Sequence, residues 1–88
     1  MITSQQLQGW IQDGLACDHI QVRGDDGQHF EALVVSPAFR GKMLVARQQM
    51  VYQTLGDKMR AEIHALSMKT LTPEEWQASA TQGQNRNG

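Results

Sequence analysis

Cysteine is nearly absent: Cys17 is the only one in 88 residues. No intrachain disulfide can form, which fits a reducing compartment, and no metal site can be built from four thiolates of one chain. A cluster held through sulfur would need ligands from another molecule. A surplus of either charge is also missing, since eight Lys and Arg stand against nine Asp and Glu. Non-specific binding to nucleic acid or anionic membrane usually comes with a basic excess, so this balance weighs against such a role and leaves room only for a local patch. No apolar run approaches the ~20 residues of a membrane span, and the N-terminus has no basic lead into an apolar stretch. The expectation is a cytoplasmic, untargeted chain that does not engage membrane. P-loop, dinucleotide fingerprint and locally spaced Ser–His–acid or Cys–His groupings are missing too, so the chain is read as a binding protein and not an enzyme. The few aromatic residues have no spacing that suggests a base-stacking platform.

What is present reads as one α+β domain over residues 1–80. Thr3 followed by Gln6 has the capping-box spacing, and Leu7, Trp10, Ile11 and Leu15 then recur at helical intervals. Gly14 weakens the end of this first helix. His19 to Arg23 alternates, with Ile20 and Val22 on one face, and Gly24-Asp25-Asp26-Gly27 is a turn signal. Phe30 to Val35 follows as a second strand in an antiparallel hairpin, ended by Pro37. Phe39-Arg40-Gly41-Lys42 is a loop. A second helix is predicted from about Met43 to Met59, with Leu44, Val51, Leu55 and Met59 on one face. Ile63 to Leu71 is a third strand, parallel to the second because a helix joins them. Thr72-Pro73-Glu74-Glu75 combines an N-cap, a proline at the first helical position and a capping box. The short helix it opens carries Trp76 towards the sheet. Residues 81–88 are rich in Gly, Gln and Asn, and a disordered tail is expected there. The order is α-β-β-α-β-α, with a three-stranded mixed sheet and helices packed on it.

Two groups of residues invite a functional reading. Arg40, Lys42 and Arg47 surround Gly41, with Phe39 as an apolar anchor and Gly41 allowing close backbone approach. This stretch could contact phosphates or an acidic partner, or it could be a solvated loop whose Arg47 pairs with a carboxylate. Cys17 is the one thiol. It lies before the first strand, and a structural role is favoured for it, since free Cys is among the residues most often buried.

Six segments, in order, resemble the BolA family: His29-Phe30; Val34-Val35-Ser36; Phe39-Arg40-Gly41-Lys42; Arg47 to Tyr52; Ile63-His64-Ala65-Leu66-Ser67; and Thr70 to Trp76. The resemblance runs from the first helix to Trp76. The short loop ending in His29-Phe30 and the lack of a long N-terminal arm resemble the IbaG-like (YrbA-like) branch. The resemblance implies a fold like the class II KH domain, although the GxxG nucleic-acid loop is not present. It implies partnership with a monothiol glutaredoxin, sharing a bridging 2Fe–2S cluster in iron–sulfur handling or in iron and stress sensing. No cofactor is expected in the isolated protein. The family's Ile-His-Ala histidine is a cluster ligand, and here it is His64; imidazole binds iron through one ring nitrogen, as in Rieske-type centres. The family's other ligand lies in the loop between the first two strands, where His29 is the only matching side chain, and Cys17 is its competitor. The alternative implied activity is that of a DNA-binding transcriptional regulator of stress or cell-shape genes, using the Phe39–Arg47 region. A homodimer paired through an exposed edge strand is a third reading.

Overall fold

The computed structural model describes residues 2–24, 26, 29–61 and 65–85. Helix α1 spans Ser4–Gly14, strand β1 His19–Arg23 and strand β2 Phe30–Val35. A 3-10 turn over Pro37–Phe39 leads to helix α2, Leu44–Leu55. Strand β3 covers Leu66–Leu71 and helix α3 covers Pro73–Asn85. The sheet order is β1-β2-β3, with β1 antiparallel and β3 parallel to the central β2. The predicted α+β order and mixed sheet are therefore observed.

Both expected capping boxes form. Thr3 Oγ1 accepts from Gln6 N at 3.1 Å, and Gln6 Oε1 accepts from Thr3 N at 2.9 Å. Thr72 Oγ1 accepts from Glu75 N at 3.1 Å, and Glu75 Oε1 accepts from Thr72 N at 2.9 Å. Each box satisfies amides that the first helical turn leaves without intrahelical partners. Strand alternation then divides the sheet into two faces. Val22 of β1, Phe30, Ala32 and Val34 of β2, and Leu66 of β3 join Leu7 and Ile11 of α1 and Val51 and Leu55 of α2 in the core. On the other face α3 lies across one end of the sheet, where the Trp76 ring stacks on His19 with centroids 4.9 Å apart. Trp76 thus covers the sheet as its position after the capping box predicts.

Ser36 ties the end of β2 to two neighbours. Its backbone N donates to Leu71 O at 3.0 Å, and its buried hydroxyl donates to Ala16 O at 2.6 Å while accepting from Ala38 N at 3.1 Å.

Two helix boundaries are corrected, and part of one strand boundary lies outside the described residues. Helix α2 stops at Leu55 rather than Met59, because Gly56 turns the chain at φ +55° and its N–H caps Tyr52 O at 3.2 Å. Met59 is still fully buried, but from the turn that follows, whereas Leu44 is 58% exposed because the first turn of α2 projects beyond the core. Strand β3 begins at Leu66, and the Ile63–His64 start proposed for it lies outside the described residues. Helix α3 continues past Thr81, where a tail without regular structure was expected, as far as Asn85. Ala78 and Ala80, residues of high helix propensity, carry the helix towards that segment.

Candidate functional site

The hairpin loop and the start of β3 meet at one end of the sheet. The register pairs Phe30 with Leu66, so the residues just before them, His29 and Ala65, enter the sheet side by side. Both line an open cleft of about 560 Å³, together with Arg23, Asp26, Glu31 and Ser67. His64 is the residue before Ala65 in sequence and lies outside the described residues.

The loop holds His29 by a specific device. Asp26 Oδ1 accepts from the His29 backbone N at 2.9 Å, and Asp26 Oδ2 meets His29 Nδ1 at 3.1 Å. An aspartate that bonds the backbone a few residues on is a common way to close a turn. Gly24 makes the closure feasible: a Cβ there would stand 2.6 Å from Phe30 Cδ1 and 2.7 Å from His29 O. The His29 side chain remains 78% exposed, open to a ligand or partner. Asp26 was not singled out from the sequence; the Asp-x-x-His spacing within a turn was the signal that could have found it.

Cys17 is at the opposite end of β1 from the hairpin loop. It precedes β1, whereas the hairpin loop follows it, a separation of roughly 20 Å at ~3.3 Å per strand residue. Its Sγ donates to Leu15 O at 3.3 Å. Burial, and secondarily the nearby Asp18 carboxylate, push the thiol pKa up, which disfavours the thiolate that iron binds. The geometry does not bring Cys17 to the cleft with His29. Among the described residues, no three His, Cys, Asp or Glu side chains converge as a metal site.

The basic stretch is engaged inside the fold. Phe39 is fully buried, so its role as an anchor for a partner is corrected: it anchors the 3-10 turn to the core. Arg40 makes a bidentate pair with Glu74, Nε to Oε1 at 2.9 Å and Nη2 to Oε2 at 2.6 Å. Arg47 is 13% exposed. It donates to Lys42 O at 2.8 Å, to Thr70 O at 3.2 Å and to both Glu75 oxygens at 2.7 and 3.3 Å. Hydrogen bonding to Arg47, then to the Thr72 backbone, lowers the Glu75 pKa to about 2. Gly41 sits at φ +74° with open space around it, so it serves the turn between Phe39 and α2. Lys42 is exposed, and beside it Met43, Leu44 and Val45 are 82%, 58% and 65% exposed. Of the five residues proposed for this surface, then, Phe39 and Arg47 are structural, Arg40 is half of an ion pair, Gly41 shapes the turn, and Lys42 is presented to solvent.

A family model for BolA-like proteins matches residues 12–75. The chain belongs to the BolA-like family. It is 35% identical over 74 residues to the acid stress protein IbaG of Escherichia coli K12, covering 83% of this chain and 87% of that protein. It is 46% identical over 59 residues to the DNA-binding transcriptional regulator BolA of Vibrio cholerae, covering 67% of this chain and 55% of the regulator. It spans only 16% of another relative, the chloroplastic/mitochondrial SufE-like protein 1 of Arabidopsis thaliana, at 46% identity over 61 residues. The solved structure of a BolA homologue from Coxiella burnetii superposes with a TM-score of 0.72 at 41% identity, covering 88% of this chain and 99% of that one. The near-complete match to IbaG agrees with the IbaG-like branch. The match indicates no enzymatic family, and the Vibrio BolA-like relative is named as a regulator. Among the described residues no helix is long and apolar enough to cross a membrane.

Proposed function

We propose that this BolA-like protein is a partner of a monothiol glutaredoxin and supplies His64 and His29 to a bridging 2Fe–2S cluster. The observation that carries the reading is the cleft at the hairpin end of the sheet. His29 and Ala65, the neighbour of His64 in sequence, share its wall. One chain with a single, remote thiol offers too few ligands for a cluster. A glutaredoxin cysteine and a glutathione thiol would complete two ligands per iron. The donor set fits: an imidazole backed by a carboxylate is a common metal-ligand arrangement. When bound, the cluster would bring mixed His/thiolate ligation, which alters potential and lability relative to thiolate alone. The protein's own contribution is to hold the His29 imidazole at an exposed edge where a partner can reach it. Substituting His64 by Ala should alter the visible circular dichroism of the mixed complex and shorten its lifetime. An unchanged spectrum and lifetime would remove the ligand assignment.

DNA binding is the second reading, favoured by the name of the Vibrio relative. Its residues are less well placed, since Glu74 and Glu75 neutralise Arg40 and Arg47. It calls for steeply salt-dependent binding that weakens in an Arg40→Ala, Lys42→Ala double variant and is indifferent to His64→Ala.

A further inference from the structure

We infer that Asp26 is a positioning residue that fixes the tautomer of His29, so that Nε2 is the nitrogen offered to iron. The inference rests on the cluster-partner reading of the same cleft and assigns a role to a residue that reading does not use.

Asp26 Oδ1 accepts the His29 backbone N–H at 2.9 Å and Oδ2 lies 3.1 Å from His29 Nδ1. One oxygen thus holds the His29 backbone and the other meets its ring. An ionised carboxylate only accepts hydrogen bonds, so Nδ1 must carry the proton of this contact. In the neutral ring the lone pair then belongs to Nε2. Free imidazole in water has no such constraint, and the protein would otherwise rely on the ligand to select the nitrogen. The His29 side chain is 78% exposed, so packing does little to orient it and the carboxylate supplies the constraint that burial gives elsewhere. The same contact strengthens the ring as a donor, because a carboxylate on one nitrogen raises electron density at the other.

Asp26→Asn separates this role from a merely structural one. The amide is isosteric and can still accept the His29 backbone N–H through its oxygen, so the loop is kept. Its NH2 can only donate to Nδ1, which forces the ring proton to Nε2 and hides the ligating lone pair. The tautomer is read in the cluster-free protein by long-range 1H–15N correlation at mildly alkaline pH. His19 and His64 serve as internal controls. The expected result is Nδ1–H in the wild type and Nε2–H in Asp26→Asn, for His29 alone. A wild-type ring with its proton on Nε2, or a ring unmoved by the substitution, overturns the inference whatever the cluster does.

The second arm uses the full chain mixed with 2Fe–2S-loaded monothiol glutaredoxin and glutathione. Asp26→Asn should release the cluster about tenfold faster than wild type, the usual scale for a lost outer-shell partner. It should also change the nitrogen couplings of the reduced cluster in pulsed EPR. Equal release and equal couplings in wild type and Asp26→Asn, with a switched tautomer, overturn the functional half of the inference. If His29→Ala also leaves the complex unchanged, the ligand reading itself fails, and the two failures are told apart.

Discussion

Single residues decide how the ends of the sheet are joined. The Ser36 hydroxyl satisfies Ala16 O from inside the fold, and alanine would leave that carbonyl without its donor. Ser36→Ala should cost about 1–3 kcal/mol in chemical denaturation, the range for orphaning a buried polar group. Thr70 presents the opposite case. Its Oγ1 is buried without a hydrogen-bond partner among the described residues. Thr70→Val keeps the shape and removes the desolvated hydroxyl, so it should raise stability by up to about 1 kcal/mol, seen as a higher melting temperature. Glu75 adds a pH dependence. Its folded pKa of about 2 lies below the ordinary 4.5 because Arg47 and the Thr72 amide favour the charged form. A depressed carboxylate contributes stability that is fully present above pH 4.5 and is lost as pH falls towards 2. Acid titration of the wild type should therefore show a destabilisation in that window that Glu75→Gln flattens. His29 was visible from the sequence through its position in the family pattern. Asp26 was not, because its part depends on the loop closing so that one carboxylate meets both a backbone and a ring nitrogen.

At the scale of elements, local signals were legible where the chemistry is local. Both capping boxes, the β1–β2 hairpin and the stop at Pro37 follow from spacing and side-chain type, and the structure has them. The end of α2 was not legible, since the apolar spacing to Met59 continues through Gly56 and only the positive φ of that glycine shows the break. The basic stretch also looked freer than it is. Sequence places Arg40 and Arg47 near one another, but the carboxylates that meet them arrive 34 and 28 residues later, on α3. Those pairs clamp the first turn of α3 to α2 and to the turn before it. Thr72→Ala removes the cap from this junction and should cost about 1 kcal/mol. The loss should be accompanied by faster amide exchange over Glu74–Trp76, and exchange unchanged there would mean the clamp holds without the cap. Gly24→Ala should disturb the hairpin loop, because Phe30 and the His29 carbonyl occupy the space a methyl needs. Shifts confined to Arg23–Phe30 in a 1H–15N spectrum are the expected signature.

Across the whole molecule, each outer strand has a backbone group occupied by a side chain. On β1 the Val22 N–H is taken by Gln8 Oε1 at 3.2 Å, and on β3 the Thr70 carbonyl is taken by Arg47 at 3.2 Å. Side chains that occupy edge backbone groups oppose strand-to-strand pairing of two copies. Sedimentation over a concentration series should therefore give a monomer, and a concentration-dependent dimer would bring back the edge-paired reading. The near balance of charge sets the expectation for partners on the same scale, favouring a specific docking surface over a general polyanion surface. The central claim is the proposal that this chain completes a shared cluster through His64 and His29. It is tested most directly by titrating 2Fe–2S-loaded monothiol glutaredoxin with the wild type and with His64→Ala, followed by visible circular dichroism. A new spectrum that saturates with the wild type and is lost or altered with His64→Ala is the predicted result. A glutaredoxin spectrum that the wild type leaves unchanged would contradict the claim.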